Sequence, residues 1–387
     1  MNTRTKPLGN HRSLASSQWA LLAAIVLFAA ITPTILMTAP AVAAQLALQW
    51  QLSPSQIGDL FSTELGAMSL ATLPALWWLK RVDWRRAALV AGIVFIAANL
   101  LSMLAHDYSA LLALRFCSAL AGGSLMIICL SSAASTSNPG RVYGLWVMGQ
   151  LVVGAIGLSI LPRLFEDYGL SACYLILAAL MSAFLPLARY FPQGSPPPET
   201  ATEHVALASK WKAALGILGI LSFYISLSGV WTFIGSIGTQ AGISAQSSGE
   251  VLALATVMGI VGAGCASLIG DRLPRLLLLL LGYGLMAGSV LLLREQPDLL
   301  RFAVAALLFK FTWTFILPLI LACLADLDHS AKLMNASNLV IGGGLAIGPT
   351  VAGRLIEASG GFQSLLVGGA CITLLSLALM LSSRPTA

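Results

Sequence analysis

Three charged residues, Glu64, Arg115 and Lys310, lie within long apolar stretches of the sequence. A charge in the middle of a membrane-spanning helix costs roughly 2.5–3.5 kcal/mol on insertion scales, so such residues are candidates for function. At 1.5 Å of rise per residue, Lys310 lies roughly 18 Å into its stretch, near the midplane. Glu64 and Arg115 lie roughly 12 and 10 Å from one end of theirs. These depths make the three residues the first candidates for binding a charged solute or a proton.

Glu64 and Arg115 lie at similar depth on two helices, which allows two interpretations. They could form a structural ion pair that neutralises both charges. Alternatively, Glu64 takes up a proton in one conformation and releases Arg115 to the substrate. The first apolar stretch contains no acid, so Glu64 is the candidate for proton coupling.

Lys310 has no acidic residue near it in its own stretch and is too central to reach an interface easily. An unneutralised cation favours an anionic substrate such as a carboxylate. Aromatic residues accompany it: Trp313 follows Lys310 by three residues, while Tyr224 and Trp231 are seven apart and share a helix face. Packing or lipid contact is the alternative interpretation for each aromatic side chain. Further candidates for substrate binding are Trp146, Gln150, Asn335 and Asn338.

Composition identifies the elements that must position these side chains. Of the 387 residues, 58% are hydrophobic and 9% are charged, whereas a soluble domain carries about 25% charged residues. The apolar residues form blocks long enough to cross a bilayer core of about 30 Å. The sequence predicts an all-α membrane protein with twelve transmembrane helices at 18–41, 56–79, 87–106, 109–133, 142–162, 170–191, 211–236, 249–269, 274–293, 299–325, 333–356 and 361–382.

The spans divide into two pseudo-symmetric six-helix bundles. We predict a cytoplasmic tail at 1–16, an N-terminal bundle at 17–191, a Pro-rich cytoplasmic linker at 192–209 and a C-terminal bundle at 210–387. Similar residues recur at an offset of 191, which indicates duplicated transporter halves. The matches are Ser53, Gly58 and Asp59 with Ser244, Gly249 and Glu250, and Arg163, Glu166 and Gly169 with Arg354, Glu357 and Gly360.

Basic residues predict the orientation. With the N-terminus inside, fifteen Lys and Arg residues fall on the cytoplasmic side and four on the outer side. This positive-inside bias predicts an inner-membrane, multi-pass protein with both termini cytoplasmic. Asp59 and Glu250 then begin helices at the outer face, where a negative charge offsets the helix dipole.

Several short motifs resemble those of the major facilitator superfamily. Gly270-Asp271-Arg272-Leu273-Pro274-Arg275 is similar to its cytoplasmic motif, with a degraded copy at residues 80–86. Arg115 with Gly122-Gly123 resembles the fourth-helix motif. The resemblance implies two halves that rock about a central site, with Arg115 and Lys310 facing each other across it. It also implies that Asp271, Arg272 and Arg275 form a cytoplasmic gating latch.

These features favour a secondary active transporter that moves a small organic solute, anionic to match Lys310, by alternating access and in coupling to protons, with either import or export allowed. A proton-antiporting multidrug or metabolite exporter is the alternative. The sequence lacks a GxxxxGK[ST] phosphate loop. It shows no His/Asp/Glu cluster at membrane depth, which disfavours an intramembrane enzyme, and the twofold repeat disfavours a channel. We expect no cofactor, no metal, no nucleic-acid partner and a monomer in the lipid bilayer.

Overall fold

The computed structural model of the chain describes residues 9–194, 210–270, 272–327 and 332–383. Most of the predicted tail and linker, together with Asp271, lies outside these residues. Within them the fold is all-helical, without a strand. The helices are α1 Gly9–Ile31, α2 Thr34–Met37, α3 Ala39–Gln49, α4 Pro54–Leu70, α5 Thr72–Trp78, α6 Trp84–Ser102, α7 Tyr108–Ala134, α8 Pro139–Tyr168, α9 Ser171–Phe184, α10 Lys210–Gln240, α11 Ala245–Ile269, α12 Arg275–Leu291, α13 Leu299–Ala325, α14 Lys332–Ser359 and α15 Gln363–Ser383; a 3₁₀ helix at Leu185–Tyr190 extends α9.

The helices confirm the all-α membrane fold. Nine segments in the described ranges are long and apolar enough to cross a membrane. The other three predicted spans are broken or shorter: the first forms α1 to α3, the second forms α4 and α5, and the ninth is the 17-residue α12. The predicted total of twelve transmembrane spans is reached only if these three segments are counted together with the nine.

The predicted first span, 18–41, differs most from the structure. The helix breaks after Ile31 and again at Thr38, and then continues to Gln49. Pro33 and Pro40 lie at these breaks, and proline has no amide hydrogen to donate to the carbonyl four residues earlier. The apolar run was correctly identified, but the two prolines divide it into three helices.

Two symmetry-related helix pairs join the halves. Helix α4 packs along α14, and α8 packs along α11. Glycines permit the close approach: a Cβ atom on Gly58 would lie 2.3 Å from the Pro349 carbonyl oxygen, and one on Gly249 would lie 2.4 Å from that of Leu158. Gly58 and Gly249 match each other at the offset of 191. Small residues allow helices to pack this tightly within a membrane.

Candidate functional site

The Lys310 ammonium lies between two tryptophan rings near the middle of α13. Its Nζ atom is 3.6 Å from the ring centroid of Trp231 and 4.0 Å from that of Trp313. The residue is 2% exposed, and no carboxylate in the described residues forms an ion pair with it. Ring quadrupoles attract a cation at such distances, and more strongly when the cation is desolvated. The structure thus places Lys310 beside two of the aromatic residues that the sequence named as candidates for substrate binding.

A third aromatic side chain, Phe309, completes this group, which we call the aromatic cluster (Trp231, Phe309 and Trp313). Phe309 stacks on Trp231 at 6.3 Å between centroids. Trp313 meets both rings edge-on, at 6.0 and 6.2 Å. Phe309 was not among the predicted site residues, although its spacing of four from Trp313 places both on one helix face.

Two of the predicted binding residues hydrogen-bond to carbonyl groups left free by prolines. Because Pro40 has no amide hydrogen, the Leu36 carbonyl lacks its usual helical donor, and Trp231 Nε1 donates to it at 2.9 Å. Pro33 likewise leaves the Ala29 carbonyl free, and Gln150 Nε2 donates to it at 3.0 Å. Neighbouring side chains often satisfy such groups inside membranes. Gln150 is therefore occupied within the N-terminal half, whereas Trp231 connects the two halves.

Arg115 lies inside the N-terminal half and does not face Lys310 across the halves, which corrects that expectation. Its guanidinium is 3.3 Å from Glu64 Oε1 and also donates to Ser102 Oγ at 2.8 Å. It stacks over the Tyr174 ring at 4.3 Å. These partners on α4, α6 and α9 leave the 1% exposed Arg115 fully engaged. Spacing along α7 gave its depth but could not show which neighbours it faces.

Glu64 borders a small cavity beside the first helix break, between α1 and α2. About 20 Å³ is available there, enough for about one water molecule. The lining includes Thr32, Pro33 and Leu36 from the broken first span. The segment between the two prolines therefore lines the Glu64 cavity and, through the Leu36 carbonyl, also contacts Trp231.

Among the remaining predicted site residues, Tyr224 reaches the aromatic cluster through a side-chain hydrogen bond with Trp313, and no described contact brings the others there. Tyr224 is buried and packs edge-on against Phe223, 5.5 Å between centroids. Trp146 lies 6.0 Å from Tyr143. Asn338 is exposed, and the side chain of Asn335 lies outside the described residues. Their roles in substrate binding stay predictions.

The predicted cytoplasmic latch is described only in part. Arg272 is exposed, and Arg275 forms an ion pair with Asp326, the residue that follows α13 as its C-cap. Asp271 lies outside the described residues. The latch therefore stays a prediction, with Asp326 added as a partner of Arg275.

Two crossed ion pairs join the halves at the predicted outer end. Arg354 Nη2 lies 3.5 Å from Asp59 Oδ1, and Arg163 Nη2 lies 3.1 Å from Glu250 Oε1. Thr350 Oγ1 also donates to Asp59 at 2.7 Å. Both residues of one pair match both residues of the other at the offset of 191, so a pseudo-twofold axis relates the pairs. The sequence identified these residues as repeats and assigned the acids to the helix dipole, but it missed the bridges between the halves.

The helix arrangement and the buried central charges define a multi-pass membrane transporter fold. The family model of the Major Facilitator Superfamily matches residues 20–331. The chain therefore belongs to this superfamily.

Solved structures of transporters share the fold. A single-residue mutant of the nucleoside transporter NupG superposes with a TM-score of 0.78 at 9% identity, covering 94% of this chain and 99% of that one. A bacterial homologue of the human lysosomal transporter Spinster, in an inward-facing and unoccupied conformation, gives a TM-score of 0.69 at 16% identity, covering 96% and 98%. At these identities the likeness concerns the fold alone.

Proposed function

We propose that the chain is a secondary active transporter that carries a small organic anion with a carboxylate group across the inner membrane, coupled to protons, by alternating access. The observation that supports this most is the Lys310 ammonium, buried without a carboxylate partner in the described residues. The proposal includes a monomer with both termini cytoplasmic, as the distribution of basic residues favours.

Lys310 is the residue we assign to the anion. An ammonium in a low-dielectric interior attracts an opposite charge far more strongly than it would in water. The aromatic cluster offers ring edges and faces to the apolar part of the substrate, and such packing adds specific aromatic contacts. A small aromatic or amphipathic carboxylic acid would use both features at once.

Glu64 is the residue we assign to the proton. Its side chain is buried and borders a cavity large enough for about one water molecule. Protonation would remove the charge attraction between Glu64 and Arg115, which retains its bond to Ser102 and its contact with Tyr174. This change occurs beside Leu36, in the segment that also contacts Trp231. Proton uptake and substrate binding would thus act on the same broken helix.

Reconstituted vesicles test the proposal. The panel contains aromatic and aliphatic carboxylates, nucleosides and lipophilic cations, each with and without an imposed proton gradient. We expect saturable, gradient-dependent movement of a carboxylate that Lys310→Met abolishes and Lys310→Arg retains in part. Lys210→Met, at an exposed lysine outside the site, is the matched control.

Two results would count against the anion assignment. Carboxylate transport by Lys310→Met at the normal rate would remove Lys310 from the site. Movement of lipophilic cations or neutral drugs, without any carboxylate, would favour the proton-antiporting exporter.

A further inference from the structure

An apolar groove runs between α6 and α7 on the exposed surface of the N-terminal half. It encloses about 430 Å³. Small residues form its floor, and exposed Val90 and Val94 form one wall. The Ser124 hydroxyl donates to the Leu120 carbonyl at 2.9 Å, so it offers no free donor to the groove. The floor residues are Ala87, Ala91, Cys117, Ala121 and Ser124.

One end of the groove is positively charged. Arg86 lines it there, beside Trp78 and Val82, at the start of α6. Arg86 is exposed and forms no ion pair within the described part of the chain. Lys80 and Arg81 precede it in the loop, and Arg81 stacks over a neighbouring tryptophan ring at 4.6 Å. This end is the one that the charge pattern places at the cytoplasmic interface.

We propose that this groove binds an anionic phospholipid, with an acyl chain along α6 and α7 and the headgroup phosphate at Arg86. This lipid site is independent of the transported substrate and of proton coupling.

The dimensions and the charge both fit such a ligand. From Arg86 to Val94 the groove follows α6 for eight residue-to-residue steps, about 12 Å at the helical rise of 1.5 Å per residue. It therefore extends from the interface well into one leaflet of a core about 30 Å thick. Basic pockets between transmembrane helices on the cytoplasmic side bind anionic lipid headgroups. An arginine can donate two parallel hydrogen bonds to a phosphate. In a zwitterionic headgroup the cationic group partly neutralises the phosphate charge, so the attraction to Arg86 is weaker than for an anionic headgroup.

Native mass spectrometry of the full chain in detergent tests the proposal. The protein is titrated with phosphatidylglycerol or phosphatidylcholine that carry the same acyl chains. We expect preferential binding of one phosphatidylglycerol. Arg86→Gln should lower its affinity roughly fivefold and leave phosphatidylcholine unchanged. Cys117→Phe, at an exposed position in the groove, should lower the binding of both lipids.

Matched variants outside the groove control for general effects. Arg141→Gln removes another exposed basic residue, and Val152→Phe adds a ring to an exposed position of α8. Neither should change binding. Equal phosphatidylglycerol affinity in Arg86→Gln and the unmodified protein would overturn the proposal. The proposal would also be overturned if Cys117→Phe bound lipid with the same affinity as the unmodified protein. A dimer of the chain that covers the groove and excludes lipid from it would overturn it as well.

Discussion

The indole nitrogen of Trp231 donates a hydrogen bond across the halves to the Leu36 carbonyl, 2.9 Å away. The acceptor is available because Pro40 follows Leu36 by four residues and has no amide hydrogen. The same indole ring covers the Lys310 ammonium. A single side chain therefore contacts both the proposed anion site and the broken helix of the opposite half.

Trp231→Phe should separate these two roles of the indole. The phenyl ring retains a face for Lys310, but the Leu36 carbonyl loses its hydrogen bond from the opposite half, at a cost of about 1–3 kcal/mol in the state with the halves joined. We expect the conformational equilibrium to shift by about tenfold or more toward the state with the outer side open. Electron paramagnetic resonance distances between spin labels on the two halves measure the shift.

Trp313→Phe is the control for that experiment, because Trp313 also covers Lys310 but forms no described hydrogen bond across the halves. Its distance distribution should match that of the unmodified protein. If both variants, or neither, shift the distances, the bond from Trp231 to Leu36 does not hold the halves together.

Gly58→Val should prevent closure at the predicted outer end. Its Cβ atom would lie 2.3 Å from the Pro349 carbonyl oxygen, a backbone atom that cannot rotate away. Transport should be lost while the separate halves remain folded. Gly264→Val is the matched control, since a Cβ at Gly264 meets nothing within 4 Å. Transport by Gly58→Val at the rate of the Gly264→Val variant would show that this close approach is dispensable.

Charge reversal tests the crossed ion pairs. Arg354→Asp places two acids together at Asp59 and should favour opening of the outer side. The effect is expected to be only about two- to fivefold, because both side chains are largely exposed and such pairs contribute about 0.2–1 kcal/mol. Adding Asp59→Arg should restore the original equilibrium, as measured by labelling of a cysteine introduced between the halves. Failure of the double variant to recover would mean that Arg354 acts through another contact.

Glu64→Gln should destabilise the protein moderately. The amide mimics the protonated carboxyl, so the buried Arg115 guanidinium loses the negative charge beside it but keeps an oxygen that can accept its hydrogen bond, and we expect a cost of about 1–2 kcal/mol. Thermal unfolding in detergent measures the loss, and Glu64→Gln combined with Arg115→Gln should recover most of it. Proton-driven transport by the double variant, with normal pH dependence, would assign the pair to structure alone.

The sequence predicted the helices more accurately than their surroundings. Composition and block length locate most spans to within a few residues, since a bilayer crossing leaves a clear apolar run. Predicting the breaks in the first span would have required attention to Pro33 and Pro40, because the hydropathy of a window does not take account of the helix-breaking effect of proline. The carbonyl groups that these prolines free depend on donors 121 and 195 residues away, and no local pattern shows them.

The candidate site was predicted in part for the same reason. Lys310 and Trp313 lie together as their spacing of three on one helix indicated, whereas the contact of Lys310 with Trp231 depends on how α10 packs beside α13. Arg115 has the expected depth but a different direction, because rotation about a helix axis depends on packing with α4, α6 and α9. The crossed ion pairs were present in the repeat as matched residues, and only the spatial arrangement showed that each acid pairs with the base of the other half.

Each half of the chain contributes one acid and one base to the crossed ion pairs. The N-terminal half contributes Asp59 and Arg163, and the C-terminal half contributes Glu250 and Arg354. Two identical copies of either half, related by a twofold axis, would satisfy both bridges through one self-complementary surface. The contact thus has the form of a homodimer interface. A gene encoding six helices would already have contained the whole of it before duplication and fusion made the two copies one polypeptide.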